Sequence, residues 1–201
     1  IGLYDVVERI SQNEERTVFL GKHRYIKTRP ETILKVFHFD MYSSERNQKQ
    51  EIEEIFHDQN ALRLLDAHPN IIDTADMFAW DDDKFVLPTE YVEMGRPLAS
   101  LLADHEEENI SWENKVDWIA KLCQALKHVH QSGIIHRDVS PVNVVVAPGG
   151  IVKLVNFDLA RIPNTPHPDR GKKLIERFDQ HYVAPEVYED PTSATPASDI
   201  Y

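Results

Sequence analysis

Residues that favour β-strands dominate the first third of the chain. The strand-like runs are separated by polar segments and lie at 4–10, 17–21, 32–39, 75–80 and 84–91. Residues 44–65 instead carry apolar side chains at helical spacing. The positions that share this helix face are Ile52, Ile55, Phe56, Leu62 and Leu65. The pattern predicts a β-rich unit that contains one helix.

A long amphipathic helix is predicted in the second half of the chain. Ser111 can act as its N-cap, and Gly133 supplies a stop after about Ser132. The apolar stripe of this helix comprises Trp112, Val116, Ile119, Leu122, Leu126 and Val129.

Two short apolar strands follow the helix, at 144–147 and 152–155, and a Pro-Gly-Gly turn at 148–150 joins them. The expected fold is α+β and bilobal. We predict a β-rich lobe at 1–94 and a mainly helical lobe at 95–201.

Composition and charge exclude several classes of function. The chain has 201 residues and a net charge of −12, which argues against binding to nucleic acid or to an anionic membrane. No stretch approaches the roughly 18–20 apolar residues needed to cross a bilayer. The single cysteine, Cys123, fits a reducing compartment, and the histidines lack the paired Cys/His spacing of structural zinc. We therefore expect a cytoplasmic protein.

The strongest chemical signal is His136-Arg137-Asp138, followed five residues after Asp138 by Asn143. This spacing puts a carboxylate and a carboxamide on one tight loop ahead of a strand. Asp138 can accept a proton from an incoming hydroxyl, and the Asn143 oxygen can hold Mg²⁺. Because His-Arg-Asp is a common tripeptide, a surface loop is the alternative interpretation.

Four further features, taken in their order along the chain, make the surface-loop interpretation less favoured. Lys35 lies inside a hydrophobic strand, and Asn156-Phe157-Asp158 follows shortly after the Asn143 loop. Ala184-Pro185-Glu186 ends a long loop, and Ser198-Asp199-Ile200-Tyr201 begins what we predict to be another helix. The joint order matches the protein kinase signature.

The chain thus resembles the eukaryotic-like protein kinases. Its sequence motifs are most similar to those of bacterial serine/threonine kinases found beside nuclease-related (NERD) domains. Since it begins at Ile1 and ends at Tyr201, inside an apparently structured segment, we expect a kinase domain truncated in its C-lobe. We also expect such a chain to expose apolar surface on its long helix.

The resemblance implies ATP bound between the lobes and transfer of its γ-phosphoryl group to a Ser/Thr hydroxyl. The acceptor would be a protein substrate or the kinase itself, and Mg²⁺ or Mn²⁺ would be the metal.

By position, Asp138 is the catalytic base, Lys35 holds the α- and β-phosphates, and Asp58 or else Glu54 pairs with Lys35. The other expected nucleotide contacts are Val18, Ile33, the gatekeeper Thr89, Glu90, Val92 and Val145. The expected metal ligands are Asn143, Asn156 and Asp158.

Two supporting roles also follow from the resemblance. Asp199 is expected to brace the catalytic loop from below. His136 and Phe157 are expected to stack with Leu62 as an internal hydrophobic spine, which is also the purely structural interpretation of His136. Because aspartate is one methylene shorter than the usual glutamate, we expect the Lys35–Asp58 contact to be long or bridged by water.

The phosphate-binding and metal-binding positions depart from the family pattern. The loop at 11–18 has lost all three glycines, whose small size lets backbone N–H groups approach phosphates. Asn156 replaces the usual metal-binding aspartate, and neutral asparagine is a weaker Mg²⁺ ligand. Asp158, at the usual glycine position, either turns inward and restores the charge or adopts the positive φ of that glycine.

Three further departures affect the loop and the adenine pocket. Ser140 and Asp179 replace a lysine and a threonine that usually meet, and we expect these two residues to form a hydrogen bond instead. Ile33 replaces the usual alanine and narrows the pocket. Thr165 is the sole hydroxyl between Phe157 and Tyr182, and we expect the loop to be unmodified.

Three functions remain open on this evidence. An active kinase with unusual metal dependence is favoured by Lys35, Asp138 and Asn143. A pseudokinase that binds nucleotide or acts as a scaffold is favoured by Asn156 and the missing glycines. A small-molecule kinase is disfavoured by Ala184-Pro185-Glu186 and the long loop before it, because these form a protein-substrate platform in the family.

Overall fold

Two antiparallel β-sheets and the helices beside them form the fold. This computed structural model describes residues 1–12, 16–38, 42, 44–105, 109–167 and 172–201. The centre of the altered loop, Asn13, Glu14 and Glu15, lies outside the described residues. Within those ranges, no helix is both long and apolar enough to span a membrane.

The first sheet has five strands in the spatial order β1-β2-β3-β5-β4. These strands are β1 (Tyr4–Gln12), β2 (Arg16–His23), β3 (Thr32–His38), β4 (Phe78–Ala79) and β5 (Lys84–Glu90). Each of the five predicted strand-like runs overlaps one of them, and β1 and β2 extend beyond their predicted runs. The run at 84–91 forms a seven-residue strand, whereas the run at 75–80 forms only two residues of strand.

The strand register of this sheet separates a core face from a second face. Leu34 and Val36 of β3 are buried with Tyr4 and Val86, so alternate residues of β3 point to the opposite side. Lys35 is one of these alternate residues. Because β3 lies between β2 and β5, Lys35 is not on an edge of the sheet.

Helix α1 (Glu45–Leu62) packs on the second face of this sheet. Ser44 caps its N-terminus, since the Ser44 hydroxyl accepts a 3.4 Å hydrogen bond from Asn47 N. Ile55 and Leu62 are buried as predicted. Leu65, which we placed in the helix, follows its end.

The second sheet consists of β6 (Arg96–Pro97), β7 (Val144–Ala147) and β8 (Ile151–Leu154). The first of these strands and the short helix α2 (Leu98–Ala103) were not predicted. A turn at Pro148–Gly150 joins β7 to β8, and its Gly149 and Gly150 both have positive φ.

Helix α3 (Trp112–Gln131) begins at Ser111, whose hydroxyl accepts a hydrogen bond from Asn114 N. Its C-terminal half is buried at Ala125, Leu126 and Val129. The other half of the predicted stripe faces outward, at Trp112, Val116 and Ile119, which are 77%, 49% and 63% exposed. The apolar surface that we expected on this helix is therefore present at its start.

Beyond β8, the described residues form short elements. These are α4 (Lys172–Ile175), α5 (Pro185–Glu189) and single 3₁₀ turns at Pro191–Ser193 and Pro196–Asp199. The helix predicted to start at Ser198 is wrong within this chain, because the 3₁₀ turn ends at Asp199. The predicted long loop contains α4, which sequence patterns did not reveal.

The central core joins α1, α3 and the second sheet. Leu62 of α1, Val129 of α3, Leu154 of β8 and Phe157 belong to one buried cluster. Phe157 lies shortly after the end of β8, so the segment that leaves the second sheet is anchored between α1 and α3.

Candidate active site

Lys35 and Asp58 form a buried ion pair between β3 and α1. Lys35 Nζ lies 3.3 Å from Asp58 Oδ2, and the two side chains are 15% and 7% exposed. Asp58 Oδ1 accepts a 2.7 Å hydrogen bond from Phe157 N. Burial alone raises the pKa of Asp58, but the charge of Lys35, the Phe157 N–H and the charge of Arg16 outweigh burial and lower the pKa below its ordinary value. The Asp58 carboxylate therefore joins a strand, a helix and a turn.

Glu54, the alternative acid, contacts a different part of the molecule. Its Oε1 lies 2.8 Å from Lys173 Nζ of α4. Asp58 is thus the partner of Lys35, and the contact is direct rather than bridged by water.

Asp199 fixes the loop at 136–138 through its backbone. Asp199 Oδ2 accepts a 2.9 Å hydrogen bond from His136 N, and Oδ1 accepts a 2.7 Å hydrogen bond from Arg137 N. The fully buried His136 ring packs edge-on against Phe157, with 4.6 Å between ring centroids. Phe157 and Leu62 share the central core cluster. The predicted brace and the predicted internal stack are both present.

Asp138 and Asn143 are held together across this loop. Asn143 Nδ2 donates hydrogen bonds to Asp138 O at 2.9 Å and to Asp138 Oδ2 at 2.5 Å. Because its nitrogen is used in this way, Asn143 presents Oδ1 as an acceptor. Burial, with smaller contributions from Asp158 and Asp179, raises the pKa of Asp138 despite the opposing effects of His136 and Asn143. A carboxylate with a raised pKa is a better proton acceptor.

The Asn156-Phe157-Asp158 turn contradicts one of the two expectations for Asp158. The residue with positive φ is Asn156, at 68°, and asparagine tolerates this region better than most residues. The prediction that Asp158 takes the positive φ of a glycine is therefore wrong. Asp158 Oδ2 lies 3.3 Å from Arg177, whereas Oδ1 is buried and has no hydrogen-bond partner in the described part of the chain. Asp158 and Asp58 line the same cavity of about 400 Å³.

Three of the predicted nucleotide contacts share the face of the first sheet that carries Lys35. Val18 of β2 lies directly opposite Lys35, and Ile33 lies directly opposite Thr89 of β5. Residues opposite each other in antiparallel strands project to the same side. The gatekeeper candidate Thr89 is 5% exposed, and its Oγ1 has no hydrogen-bond partner among the described residues.

The other predicted nucleotide contacts lie where the two sheets meet. A Cβ at Gly95 would come within 2.9 Å of both Val92 and Val145, so these two valines approach each other across a glycine. Glu90 turns its side chain the other way, and its Oε2 lies 2.8 Å from Lys153 Nζ. Only the backbone groups of Glu90 thus remain for the contact with the nucleotide that we predicted.

Ser140 and Asp179 do not form the hydrogen bond that we predicted. Ser140 Oγ instead accepts a 3.4 Å contact from Asn143 Nδ2. Asp179 Oδ1 accepts hydrogen bonds of 2.9 Å from both the backbone and the ring of His181. Each side chain has a nearer local partner, which removes the need for a contact between them.

Sequence reasoning gave Arg137 no role, although it is one of the most connected side chains. Its Nε donates to Leu159 O at 2.7 Å, and its Nη1 donates to Pro191 O at 3.1 Å. Burial first, and then the charge of Arg161, lower the pKa of Arg137 to about 10. No pattern in the sequence signals these contacts, because both acceptors are backbone carbonyls.

Comparison with known proteins assigns this arrangement to a family. Residues 5–201 match the family model described as the protein kinase domain. The chain belongs to the protein kinase family. This kinase domain is 32% identical over 166 residues to serine/threonine-protein kinase 36 of Pongo abelii, which covers 81% of this chain and 11% of that protein. It is 31% identical over 120 residues to a probable serine/threonine-protein kinase of Clostridium perfringens, with 60% of this chain and 17% of that protein covered.

A third relative is the probable serine/threonine-protein kinase PknB of Lactococcus lactis. It is 27% identical over 135 residues, which is 67% of the kinase domain and 20% of the relative. The chain thus spans a fifth or less of the length of these three relatives. The α+β kinase fold agrees with the prediction, whereas the narrower resemblance to the NERD-associated group stays a prediction.

Proposed function

We propose that this kinase domain binds ATP between a lobe at 1–94 and a lobe at 95–201 and phosphorylates Ser or Thr hydroxyls. The acceptor is a protein substrate or the kinase itself. The observation that carries this proposal is the Lys35–Asp58 pair, which is also bonded to the Phe157 backbone. This one carboxylate supports both the phosphate-binding lysine and the turn beside the catalytic loop.

In the proposed reaction, Asp138 accepts the proton of the substrate hydroxyl. The hydroxyl oxygen forms a bond to the γ-phosphorus, and the bond from that phosphorus to the β–γ bridging oxygen breaks. ADP leaves with the electron pair of that bond. The raised pKa of Asp138 supports its role as the proton acceptor. Lys35 would neutralise charge on the α- and β-phosphates.

Adenine would lie between the two groups of apolar contacts. Val18 and Ile33 would cover it from the first sheet, and Val145 from the second. Thr89 would close the rear of the pocket, and the backbone groups of Glu90 and Val92 would hydrogen-bond to the base. The shared sheet face and the meeting of Val92 and Val145 at Gly95 support this assignment.

A divalent cation is part of kinase chemistry in general, and the donor atoms on this chain suit one. Asn143 Oδ1 is the remaining acceptor of that side chain, and Asp158 Oδ1 is a buried carboxylate oxygen with no partner in the described residues. We assign Asn143, Asn156 and Asp158 as the residues that would hold Mg²⁺ or Mn²⁺. The bound cation would offset phosphate charge.

The alternative is a pseudokinase that binds nucleotide without transfer. It is favoured by Asn156 and by the contact of Arg177 with Asp158, because both reduce the negative charge offered to a cation. Transfer of radiolabelled phosphate from ATP, measured in Mg²⁺ and in Mn²⁺ with Asp138→Asn as the control, separates the two. If no transfer occurs in either metal while ATP still raises the melting temperature, the pseudokinase is correct. If ATP neither binds nor reacts, both proposals fail.

A further inference from the structure

His57 is a buried histidine on α1 that takes no direct part in the proposed reaction. Its ring is 2% exposed. Its Nε2 lies 2.8 Å from Ala160 O, so Nε2–H donates to that carbonyl. Its ring packs at 63° against the ring of His167, with 4.3 Å between centroids. This buried side chain, next to the lysine partner Asp58, connects α1 to the segment that follows the Asn156-Phe157-Asp158 turn, which we call the catalytic turn.

The second histidine continues the connection. His167 Nε2 lies 2.7 Å from Asp158 O and donates to it. The carbonyls on both sides of Leu159 are therefore each bonded to an imidazole, and the two imidazoles pack against each other. Burial fixes this arrangement, because water cannot replace a hydrogen bond to Ala160 O, which lies in a fully buried residue.

One face of α1 makes all these contacts. Glu54, His57 and Asp58 are spaced i, i+3 and i+4, so their side chains lie on the same side of the helix. Asp58 bonds to the Phe157 backbone, His57 to Ala160, and Glu54 to Lys173 of α4. The helix thus fixes the catalytic turn at its start and at its end.

A neutral imidazole suits this position. Burial is the largest cause that lowers the pKa of His57, to about 4, and the charges of His167 and Arg137 lower it further. Bonding to Ala160 and the charge of Asp158 oppose the shift. The neutral ring can donate from Nε2 and still pack against a second imidazole without repulsion.

We propose that His57 is a positioning residue for phosphoryl transfer, which holds the Asp158 side chain in place by fixing the backbone at Ala160 and, through His167, at Asp158. This inference rests on the proposed function. It assigns to a histidine on α1 a task that the Lys35–Asp58 pair does not perform, namely to hold the end of the turn rather than its start.

The test compares His57→Leu and His57→Gln in the whole chain. Leucine cannot donate to Ala160 O, whereas glutamine can donate but lacks the ring that packs on His167. We expect His57→Leu to raise the amide exchange rate across 157–162 about tenfold and to lower kcat about tenfold, with KM for ATP changed less than about twofold. We expect His57→Gln to restore much of both.

His128→Leu is the matched control. His128 also lies on a long helix, donates from Nε2 to a carbonyl, Asp66 O, at 3.0 Å, and stacks on another histidine, His68. Its loss should leave exchange at 157–162 and kcat unchanged.

The positioning role is overturned if His57→Leu leaves the amide exchange rate at 157–162 unchanged. It is also overturned if the exchange rate rises equally throughout the chain. If His57→Leu does not fold, the same exchange measurement on His57→Gln decides, because lost packing on His167 should raise exchange at 157–162 by a smaller factor. If the unmodified chain transfers no phosphate, the proposed function fails, whereas the exchange result still decides whether His57 holds the turn.

Discussion

Lys153 Nζ lies 2.8 Å from Glu90 Oε2, so an ion pair ties β8 of the second sheet to the end of β5 in the first. The Lys153 side chain is 13% exposed and also lies 3.4 Å from Ile71 O. Glu90 Oε2 accepts a further hydrogen bond from Asp73 N at 3.1 Å. The pair therefore links the two sheets at the point where the chain crosses between them.

We expect Lys153→Met to lower the free energy of unfolding by about 1–2 kcal/mol, because it leaves the partly buried Glu90 carboxylate without its cation. Adding Glu90→Gln should recover part of the loss, and urea unfolding of both single variants and the double variant measures the coupling. Strictly additive effects of the two substitutions would show that the pair contributes nothing as a pair.

Asp58 is expected to matter more than Glu54 for nucleotide binding. Asp58→Ala leaves Lys35 buried without its partner and removes the acceptor of Phe157 N, so we expect about 3 kcal/mol of lost stability and at least about tenfold lower transfer. Asp58→Asn should keep more stability, since an amide oxygen can still accept from Phe157 N. Glu54→Gln is the control, because Glu54 pairs with Lys173 instead. Equal losses in Glu54→Gln and Asp58→Asn would contradict the assignment.

We predict that Asn156 limits metal binding in this kinase domain. A carboxylate at this position adds a charged oxygen beside Asn143 and Asp158, so we expect Asn156→Asp to lower the Mg²⁺ concentration needed for half-maximal transfer by about 10–100-fold. The reverse change at the neighbouring acid, Asp158→Asn, should raise that concentration. Titration of transfer rate against Mg²⁺ measures both. An unchanged Mg²⁺ requirement in Asp158→Asn would remove Asp158 from the metal site.

Patterns that repeat along the sequence predicted the fold well. The strands of the first sheet and the two long helices were predicted from local spacing, and the predicted cap at Ser111 forms its hydrogen bond. Ser44 caps α1 in the same way, which was not predicted. The pairing of Lys35 with Asp58 was also predicted, because the family resemblance indicates where along the chain the acidic partner of the strand lysine lies. Helix α4 was missed, since four residues are too few to show a period.

Contacts between side chains and distant backbone carbonyls that no family motif marks were beyond prediction. Arg137 and His57 both bond to backbone carbonyls, and every residue carries this same group, so the sequence holds no sign of the acceptor. The positive φ was predicted only for Asp158, and its occurrence at Asn156 depends on the path of the folded backbone through the turn. Likewise, Ser140 and Asp179 found closer partners that only the folded backbone brings near them.

The stability of the domain should fall with acid through His57. Its pKa in the folded state is lowered to about 4, whereas the ordinary value is 6.5. The unfolded chain therefore binds a proton that the folded chain refuses between these values, so this contribution is complete above about pH 6.5 and is lost as pH falls towards 4. We expect this group to change the free energy of unfolding by at most about 1.4 kcal/mol per pH unit.

Because other groups titrate as well, the measurement is the difference in urea midpoint between the unmodified chain and His57→Gln at pH 7.5, 6 and 5. The difference should shrink or reverse towards pH 5, since glutamine does not titrate, and a difference that stays constant over this range would show that folding does not lower the pKa of His57.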